Sequence, residues 1–361
     1  FIMQMRPRFG DEEKQALCDY MDEDGFITEF KRTDKFEQML ADYTGAKHCV
    51  VVNNGTISLT LAAMAVGVEH GDEVIVPNYT MIATPNSVKM FGAKPVFVDV
   101  ESETLCLDVT SVKQAITSKT KAIMLVSANG RYPKAGIQAF EDLCKEKGVV
   151  LIEDCAQSLG SFYPDGRHIG TAGLVGSFSF SAPKIISTGQ GGAIVTNDDK
   201  IADKLRRLKD FGRSGGGNDI HDSIGYNFKF TELQACIGIE QMKKLPASVE
   251  RKKAILRRYI KGLEGVKAIS LFGQDLDNTT PGFIDCLADN RDELVAFLKE
   301  KGIGSRVMYP PINRQKAYAI AGEYPIANLV GEKGLWLPSA VQLTNDEIDR
   351  ICSEITSFYN Q

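Results

Sequence analysis

Along the first two thirds of the chain, short apolar runs alternate with segments in which apolar residues recur at helical spacing. The apolar runs predict buried strands at 49–52, 73–76, 95–99, 122–126, 149–152, 176–180 and 193–196. The segments between and around them predict helices at 34–43, 56–66, 81–91, 109–117, 137–147 and 199–208. This alternation predicts an α/β fold with a mixed, mostly parallel sheet flanked by helices on both faces.

Three local sequence patterns after this region predict a loop, the start of a helix and an interruption of that helix. The segment 212–223 is rich in glycine and polar residues, which predicts a mobile loop. Thr231 and Gln234 have the spacing of a capping box and predict the start of a helix. Pro246 predicts a break or a kink in that helix, because proline lacks an N–H and clashes with the preceding turn.

The chain divides on this basis into two predicted domains. Residues 1–245 form a large domain that begins with an N-terminal arm. Residues 246–361 form a smaller α+β domain, which opens with a basic helix and continues over 266–361 as short strands and two helices.

Composition narrows the classes of function. A formal net charge of −5 argues against a nucleic-acid partner. The four histidines, at 48, 70, 168 and 221, lack the spacing of a metal site. No apolar run reaches the roughly 18 residues that span a membrane, and no signal peptide is visible. The eight cysteines lack CxxC spacing, so we expect a cytoplasmic protein without a disulfide framework.

Lys184 is the first candidate for chemistry. It follows the strand-like run 176–180 and precedes a cluster of glycines at 189–192, where the backbone can approach a ligand closely. A lysine amine in a desolvated site can form a Schiff base with a carbonyl compound. The alternative interpretation is a surface lysine in a loop.

Asp154 ends the apolar run 149–152 after Glu153. Acids at the carboxyl end of a buried strand lie where open α/β sheets bind ligands. Asp154 could pair with the ring nitrogen of pyridoxal 5'-phosphate (PLP). It could also be a helix N-cap, and the two roles are compatible.

A third candidate is the turn Asn53-Asn54-Gly55-Thr56, between a predicted strand and a predicted helix. Free backbone N–H groups, a hydroxyl and the positive end of the helix dipole make such a turn suitable for phosphate. The pattern is common in α/β proteins. It is neither a P-loop nor a full dinucleotide fingerprint, which argues against the alternative of a nicotinamide oxidoreductase.

Taken together, seven motifs spread over nearly the whole chain resemble the DegT/DnrJ/EryC1/StrS group of sugar-nucleotide aminotransferases. They are NNGTISL at 53–59, PNYTMIATPNSV at 77–88, IEDCAQSLG at 152–160, SFSFSAPK with TGQGG at 177–192, GYNFKFTELQACIG at 225–238, GIGSRVMYPPI at 302–312 and LWLPSAVQLTNDEI at 335–348. The resemblance implies a fold-type I PLP-dependent aminotransferase with a smaller C-terminal domain.

The resemblance also implies roles for individual residues. Lys184 is similar to the lysine that forms a Schiff base with PLP, and Asp154 to the partner of the pyridine nitrogen. Gln157 is similar to a glutamine near the ring hydroxyl. The implied phosphate contacts are Gly55, Thr56, Ser179 and, from a neighbouring subunit, Asn227, so the resemblance implies a homodimer with shared active sites.

The chain departs from the family pattern at four places. Met81 stands where an aromatic residue usually stacks on the PLP ring, and a thioether can cover a ring in its place. Gln190 replaces a usual acid, the segment 127–130 reads SANG instead of HLYG, and Asn313 replaces a usual histidine. The last two departures bear on substrate handling, and none of the four removes the core cofactor set.

The implied reaction transfers an amino group from L-glutamate to a nucleotide-linked 4-keto-6-deoxyhexose, giving a 4-amino-4,6-dideoxyhexose of the viosamine or perosamine type. Arg306, Tyr309 and Asn313 are candidates for substrate contact, with ordinary surface and hinge roles as the alternative. Amination of a 3-keto sugar is the alternative reaction, and a non-catalytic PLP-binding regulatory protein is the alternative class. Lys184 separates the chain from relatives that carry histidine there and dehydrate their substrate.

Overall fold

A large sheet of seven strands forms the centre of the protein. The computed structural model describes residues 1–215 and 219–360. The strands are β1 (His48–Val52), β2 (Glu73–Pro77), β3 (Lys94–Val98), β4 (Thr120–Val126), β5 (Val150–Asp154), β6 (Val175–Ser179) and β7 (Gly192–Thr196), in the order β1-β7-β6-β5-β4-β2-β3. The five neighbouring strands β6, β5, β4, β2 and β3 are parallel to one another, whereas β7 is antiparallel to both β6 and β1. All seven predicted strands are confirmed.

Helices cover both faces of this sheet. The helices of the first part of the chain are α1 (Asp11–Asp22), α2 (Lys31–Thr44), α3 (Gly55–Ala65), α4 (Ala83–Lys89), α5 (Val109–Ala115), α6 (Ile137–Lys147) and α7 (Asp199–Lys209). Alternate strand residues point to opposite faces, so Cys49 and Val51 join one apolar cluster while Val50 and Val52 join the other. Burial on both faces explains why these strands appear in the sequence as continuous apolar runs.

The C-terminal part builds a second, smaller layer. A long helix, α8 (Glu232–Gly262), leads to an antiparallel sheet with the order β10-β11-β9-β8. Its strands are β8 (Ile269–Leu271), β9 (Ile284–Ala288), β10 (Arg306–Val307) and β11 (Gly334–Leu337), and its helices are α9 (Arg291–Glu300), α10 (Pro325–Lys333) and α11 (Asn345–Tyr359). The prediction of a small α+β unit is confirmed, but the expectation of two helices after residue 266 is wrong because α10 is a third.

Of the break or kink predicted at Pro246, the break is wrong, and the kink stays a prediction. Helix α8 begins at the predicted capping box of Thr231 and Gln234 and continues through Pro246 to Gly262. Leu245 and Val249 on either side are buried, so packing of both flanks offsets the hydrogen bond that proline removes. The predicted domain division at 245/246 therefore falls inside one helix, and the division itself stays a prediction.

Two further expectations concern segments at the surface. Of the predicted mobile loop 212–223, residues 216–218 lie outside the described residues. On either side of them, Arg213 forms an isolated β-bridge with His221 and an ion pair with Asp219 at 2.8 Å. Within the described ranges, no helix is both long and apolar enough to cross a membrane.

Candidate active site

Two adjacent acids end strand β5 and point to opposite faces of the sheet. Glu153 is fully buried, and its carboxylate accepts hydrogen bonds from the Tyr163 hydroxyl and from three backbone N–H groups in the segment 170–173. It therefore fixes a loop beneath the sheet. Asp154, 4% exposed, lines a cavity above the carboxyl ends of the parallel strands, where open sheets bind ligands.

Helix α4 and the turn after β5 hold the Asp154 carboxylate. Oδ2 accepts a hydrogen bond from Thr84 Oγ1 at 2.8 Å, and Oδ1 accepts one from the backbone N–H of Ala156 at 3.2 Å. Thr84 in turn bonds the hydroxyl of Thr80 at 2.9 Å. Burial raises the pKa of Asp154, and the two hydrogen bonds and the nearby Lys184 amine oppose that rise. The carboxylate is thus oriented for a positively charged partner.

Lys184 lies in the loop that follows β6, where its backbone N–H donates to the Ser181 carbonyl at 3.0 Å. Its side chain is half-buried and lines the same cavity as Asp154. Burial lowers the pKa of Lys184 to about 8, although the Asp154 charge acts in the opposite direction. At neutral pH this amine is therefore unprotonated far more often than that of an ordinary lysine, and the unprotonated form is the one that attacks a carbonyl carbon.

The predicted phosphate turn lies at the other end of this cavity. Helix α3 begins at Gly55, and Asn54 caps it by accepting the Ile57 N–H at 2.9 Å. A Cβ on Gly55 would lie 2.7 Å from Ser179 Cβ, so only glycine lets the turn approach β6 this closely. The cavity has a volume of about 380 Å³, and its hydroxyls and the first N–H groups of α3 suit an anion.

A smaller cavity of about 30 Å³ continues from Lys184 towards the small sheet. Gln157 lines it, and its Oε1 accepts the backbone N–H of Asn129 at 2.6 Å. Tyr309 lines it from the other side and meets the ring of Trp336 edge-on at 4.7 Å. Burial raises the pKa of the Tyr309 hydroxyl to about 12, so this hydroxyl is a neutral donor at physiological pH.

The structure thus brings most of the predicted site residues together. The two cavities share Met81, Asp154 and Lys184, the larger adds Gly55, Thr56 and Ser179, and the smaller adds Gln157 and Tyr309. Met81 is 46% exposed, and its sulfur accepts the Ala83 N–H at 3.0 Å. That contact fixes the thioether at the mouth of both cavities.

Three predicted residues lie outside these two cavities. Arg306 is exposed on β10, with its guanidinium 5.6 Å from the centre of the Trp336 ring. Asn313 is buried and exchanges two hydrogen bonds with Asn78, at 2.8 and 2.9 Å, so its side chain is committed to holding two segments together. Asn227 is exposed in this chain and forms an isolated β-bridge with Asp210.

Two residues of the site were not predicted from the sequence as site residues. Thr84 reaches Asp154 from the first turn of α4, and its only sequence signal is its place in the motif PNYTMIATPNSV. Asn129 has a left-handed backbone with a φ of 55°, which asparagine tolerates better than other non-glycine residues. Its signal is the departure SANG at 127–130.

Comparison with known proteins identifies the family of this chain. A model of the DegT/DnrJ/EryC1/StrS aminotransferase family matches residues 7–356. The GDP-perosamine synthase of Vibrio cholerae is 35% identical over 364 residues, covering 98% of this chain and 98% of that protein. The GDP-perosamine synthase of Escherichia coli O157:H7 is 34% identical over 363 residues, covering 100% and 99%.

A solved structure shares the fold. DesV of S. venezuelae, in complex with a ketimine intermediate, superposes with a TM-score of 0.91 at 31% identity, covering 97% of this chain and 95% of that one. The predicted α/β aminotransferase fold is therefore confirmed. With a family match along almost its entire length, this chain belongs to the DegT/DnrJ/EryC1/StrS aminotransferase family.

Proposed function

We propose that this aminotransferase uses PLP to transfer an amino group from L-glutamate to a nucleotide-linked 4-keto-6-deoxyhexose. The observation that carries the proposal is the pairing of Lys184 and Asp154 in one cavity. The pKa of Lys184 is lowered to about 8, while a buried carboxylate stands beside it. Perturbed groups of this kind are typical of catalytic sites.

The residues of the cavity fit PLP at three points. The turn at Gly55 and Thr56, with the Ser179 hydroxyl, offers N–H and O–H donors to a phosphate at the N-terminus of α3. The Asp154 carboxylate would hold a proton on the ring nitrogen, and Lys184 Nζ would bind the aldehyde carbon. Met81 would lie against the ring face, where a thioether makes favourable contact.

Bound PLP would supply an electron sink for breaking the Cα–H bond of the amino donor. Lys184 would take the proton from the donor Cα, since its unprotonated amine is the basic form. Asp154 would keep the ring nitrogen protonated because Thr84 and the Ala156 N–H hold its carboxylate in place.

The substrate class rests on the two GDP-perosamine synthases, since perosamine carries its amino group on C4 of a 6-deoxyhexose. Tyr309 lines the smaller cavity, and Arg306 lies outside it against the ring of Trp336, another lining residue. A cation in that position would suit the phosphates of a nucleotide sugar or the carboxylates of glutamate. The corresponding 3-keto sugar is the alternative acceptor.

We also propose that two copies of the chain form a homodimer with shared active sites. Asn227 is exposed in one copy, as a residue that reaches a neighbouring cavity must be. Phe26, Phe30 and Ile224 are exposed by 66%, 50% and 79%, and exposed apolar side chains of this size favour an interface. All eight cysteines are free, which supports a cytoplasmic location.

The cofactor is tested directly on the purified protein. We expect PLP to add a visible absorption band, and borohydride to leave a pyridoxyl group on Lys184. Lys184→Ala should abolish both the adduct and amino transfer, whereas Lys204→Ala, which removes an exposed lysine on α7, should change neither. An alanine variant at 184 with full activity would refute the mechanism.

The substrate is tested by supplying GDP-, dTDP- and UDP-linked 4-keto and 3-keto sugars with glutamate. We expect one 4-keto sugar to be aminated at C4, as read by NMR of the product. Amination only at C3 would establish the alternative acceptor. A protein that binds PLP but forms no pyridoxamine phosphate with any amino donor would instead be a regulatory PLP-binding protein.

A further inference from the structure

Lys252 is a buried lysine that the proposed chemistry does not use. It lies in the middle of α8 with 1% of its surface exposed. Its Nζ donates hydrogen bonds to the carbonyl oxygens of Gly282 at 2.7 Å and Ser339 at 2.6 Å. Burial lowers its pKa to about 7, and no carboxylate in residues 1–215 and 219–360 offsets that shift.

The number of hydrogen-bond partners matches the neutral form of this amine. A protonated lysine has three N–H donors and an unprotonated one has two. Two carbonyl oxygens accept from Nζ, so neutral Lys252 satisfies both without burying a charge. An apolar side chain would avoid the desolvation but would leave two buried carbonyl groups without a donor.

The two carbonyl groups belong to separate segments of the small sheet. Ser339 follows β11, whereas Gly282 lies in the connection 278–283 between β8 and β9. That connection also crosses to the large sheet, where the Thr280 N–H donates to Ser161 Oγ at 2.9 Å and Thr280 Oγ1 donates to the Gly160 carbonyl at 2.6 Å. It is thus held from both sides.

The same connection forms the wall behind Gln157. Asn129 pairs with both backbone groups of Phe283, accepting its N–H at 2.5 Å and donating to its carbonyl at 2.9 Å. The backbone N–H of Asn129 then donates to Gln157 Oε1 at 2.6 Å. Gly282 itself lines a pocket together with Gln157 and Lys184. A continuous series of contacts therefore runs from α8 to the cofactor cavity.

We propose that Lys252 is a positioning residue, which holds Gly282 and Phe283 so that Asn129 fixes the side chain of Gln157 in the cavity. The inference rests on the proposed function, because it concerns the place where PLP would bind. It extends that function from residues that touch the ligand to a lysine on the helix behind them.

The test compares Lys252→Met with Lys261→Met, which removes an exposed lysine from the same helix. PLP affinity and the absorption spectrum of bound PLP are measured for each variant and for wild type. We expect Lys252→Met to weaken PLP binding by about tenfold and to shift the absorption maximum, and Lys261→Met to change neither. Lys252→Gln, which keeps two N–H donors without a charge, should restore part of the loss.

A double-mutant cycle separates positioning from a general loss of stability. If Lys252 acts through Gln157, Lys252→Met should add little to the effect of Gln157→Ala on PLP affinity. Additive effects, or a Lys252→Met variant with wild-type affinity and spectrum, would overturn the inference. Wild type that binds no PLP would refute the proposed function instead.

If circular dichroism shows that Lys252→Met does not fold, a second variant tests the same inference. Thr280→Val loosens the same connection from the side of Gly160, away from Lys252. It should weaken PLP binding in the same non-additive way with Gln157→Ala. Additivity there would mean that the connection does not position Gln157, and the inference would fail.

Discussion

The lowered pKa of Lys184 makes a quantitative prediction about its reactivity in the protein without PLP. Burial lowers this pKa from 10.5 to about 8. At pH 7 the unprotonated fraction is then about 9%, against about 0.03% for an unperturbed lysine, or roughly 300-fold more. Lys184 should therefore react with a small aldehyde far faster than exposed lysines do.

The perturbation is Asp154→Asn, which removes the neighbouring charge and keeps the size of the side chain. The Asp154 charge raises the pKa of Lys184, in opposition to burial. Without it only the lowering by burial remains, so the pKa of Lys184 should fall below about 8. The variant should hence be more reactive at pH 6 to 7 than wild type.

The assay is reductive methylation with formaldehyde and cyanoborohydride between about pH 6 and 10, because only the unprotonated amine reacts. Peptide mass spectrometry follows Lys184 and uses exposed Lys204 as an internal reference. Formaldehyde has no ring and no phosphate, so the loss of Asp154 acts on the lysine alone. Asp42→Asn, at an exposed position on α2, is the control and should leave the profile of Lys184 unchanged.

Two results would refute the reasoning. A midpoint for wild-type Lys184 near its unperturbed value of 10.5 would mean that burial does not desolvate the amine. A midpoint that rises in Asp154→Asn would mean that the carboxylate does not stabilise the protonated lysine. Either result would remove the physical basis for assigning Lys184 as the proton-transfer group.

Three further predictions concern buried groups whose hydrogen bonds join distant segments. Thr84→Val removes the hydrogen bond to the Asp154 carboxylate. Because hydrogen bonds to charged groups contribute about 1.5–3 kcal/mol, we expect the variant to bind PLP about tenfold more weakly or worse in a titration. An unchanged PLP affinity would contradict this prediction. Glu232 is fully buried and accepts three backbone N–H groups around the start of α2. Glu232→Gln should therefore lose about 3 kcal/mol in urea unfolding, with exposed Glu250→Gln as the unchanged control. The pKa of Lys252, about 7 in the folded state against 10.5, means that the unfolded chain binds more protons between these values. As the pH rises across that window, the free energy of unfolding of wild type should increase relative to that of Lys252→Met by up to about 1.4 kcal/mol per pH unit. Parallel plots of unfolding free energy against pH for the two proteins would refute this.

The main features of the fold and the centre of the site follow from local sequence. Strands buried on both faces appear as continuous apolar runs, and their carboxyl ends must meet at one edge of a parallel sheet. That is why Asp154, Lys184 and the turn at Gly55 could each be predicted as a candidate at a strand end, while the resemblance linked them to one ligand and the structure placed them around one cavity. Seven ordered motifs then gave the family, which comparison confirmed.

Other residues could not be assigned because their roles depend on partners far away along the chain. The substrate role of Asn313 stays a prediction, but local sequence gave no sign of its two hydrogen bonds with Asn78, 235 positions earlier. Lys252 stands in a basic run that resembles a solvated helix face, yet its amine is enclosed between two segments of the small sheet.

Local patterns therefore determined which elements form and which strand ends carry chemistry, since periodicity and turn residues act over a few positions. Only the tertiary structure decided that α8 continues through Pro246, that Thr84 orients Asp154, and that Asn129 reaches Phe283. The physical reason is that packing and buried hydrogen bonds join residues that are distant in sequence. Their free energies can exceed a local propensity of about 3 kcal/mol, such as that of proline against a helix.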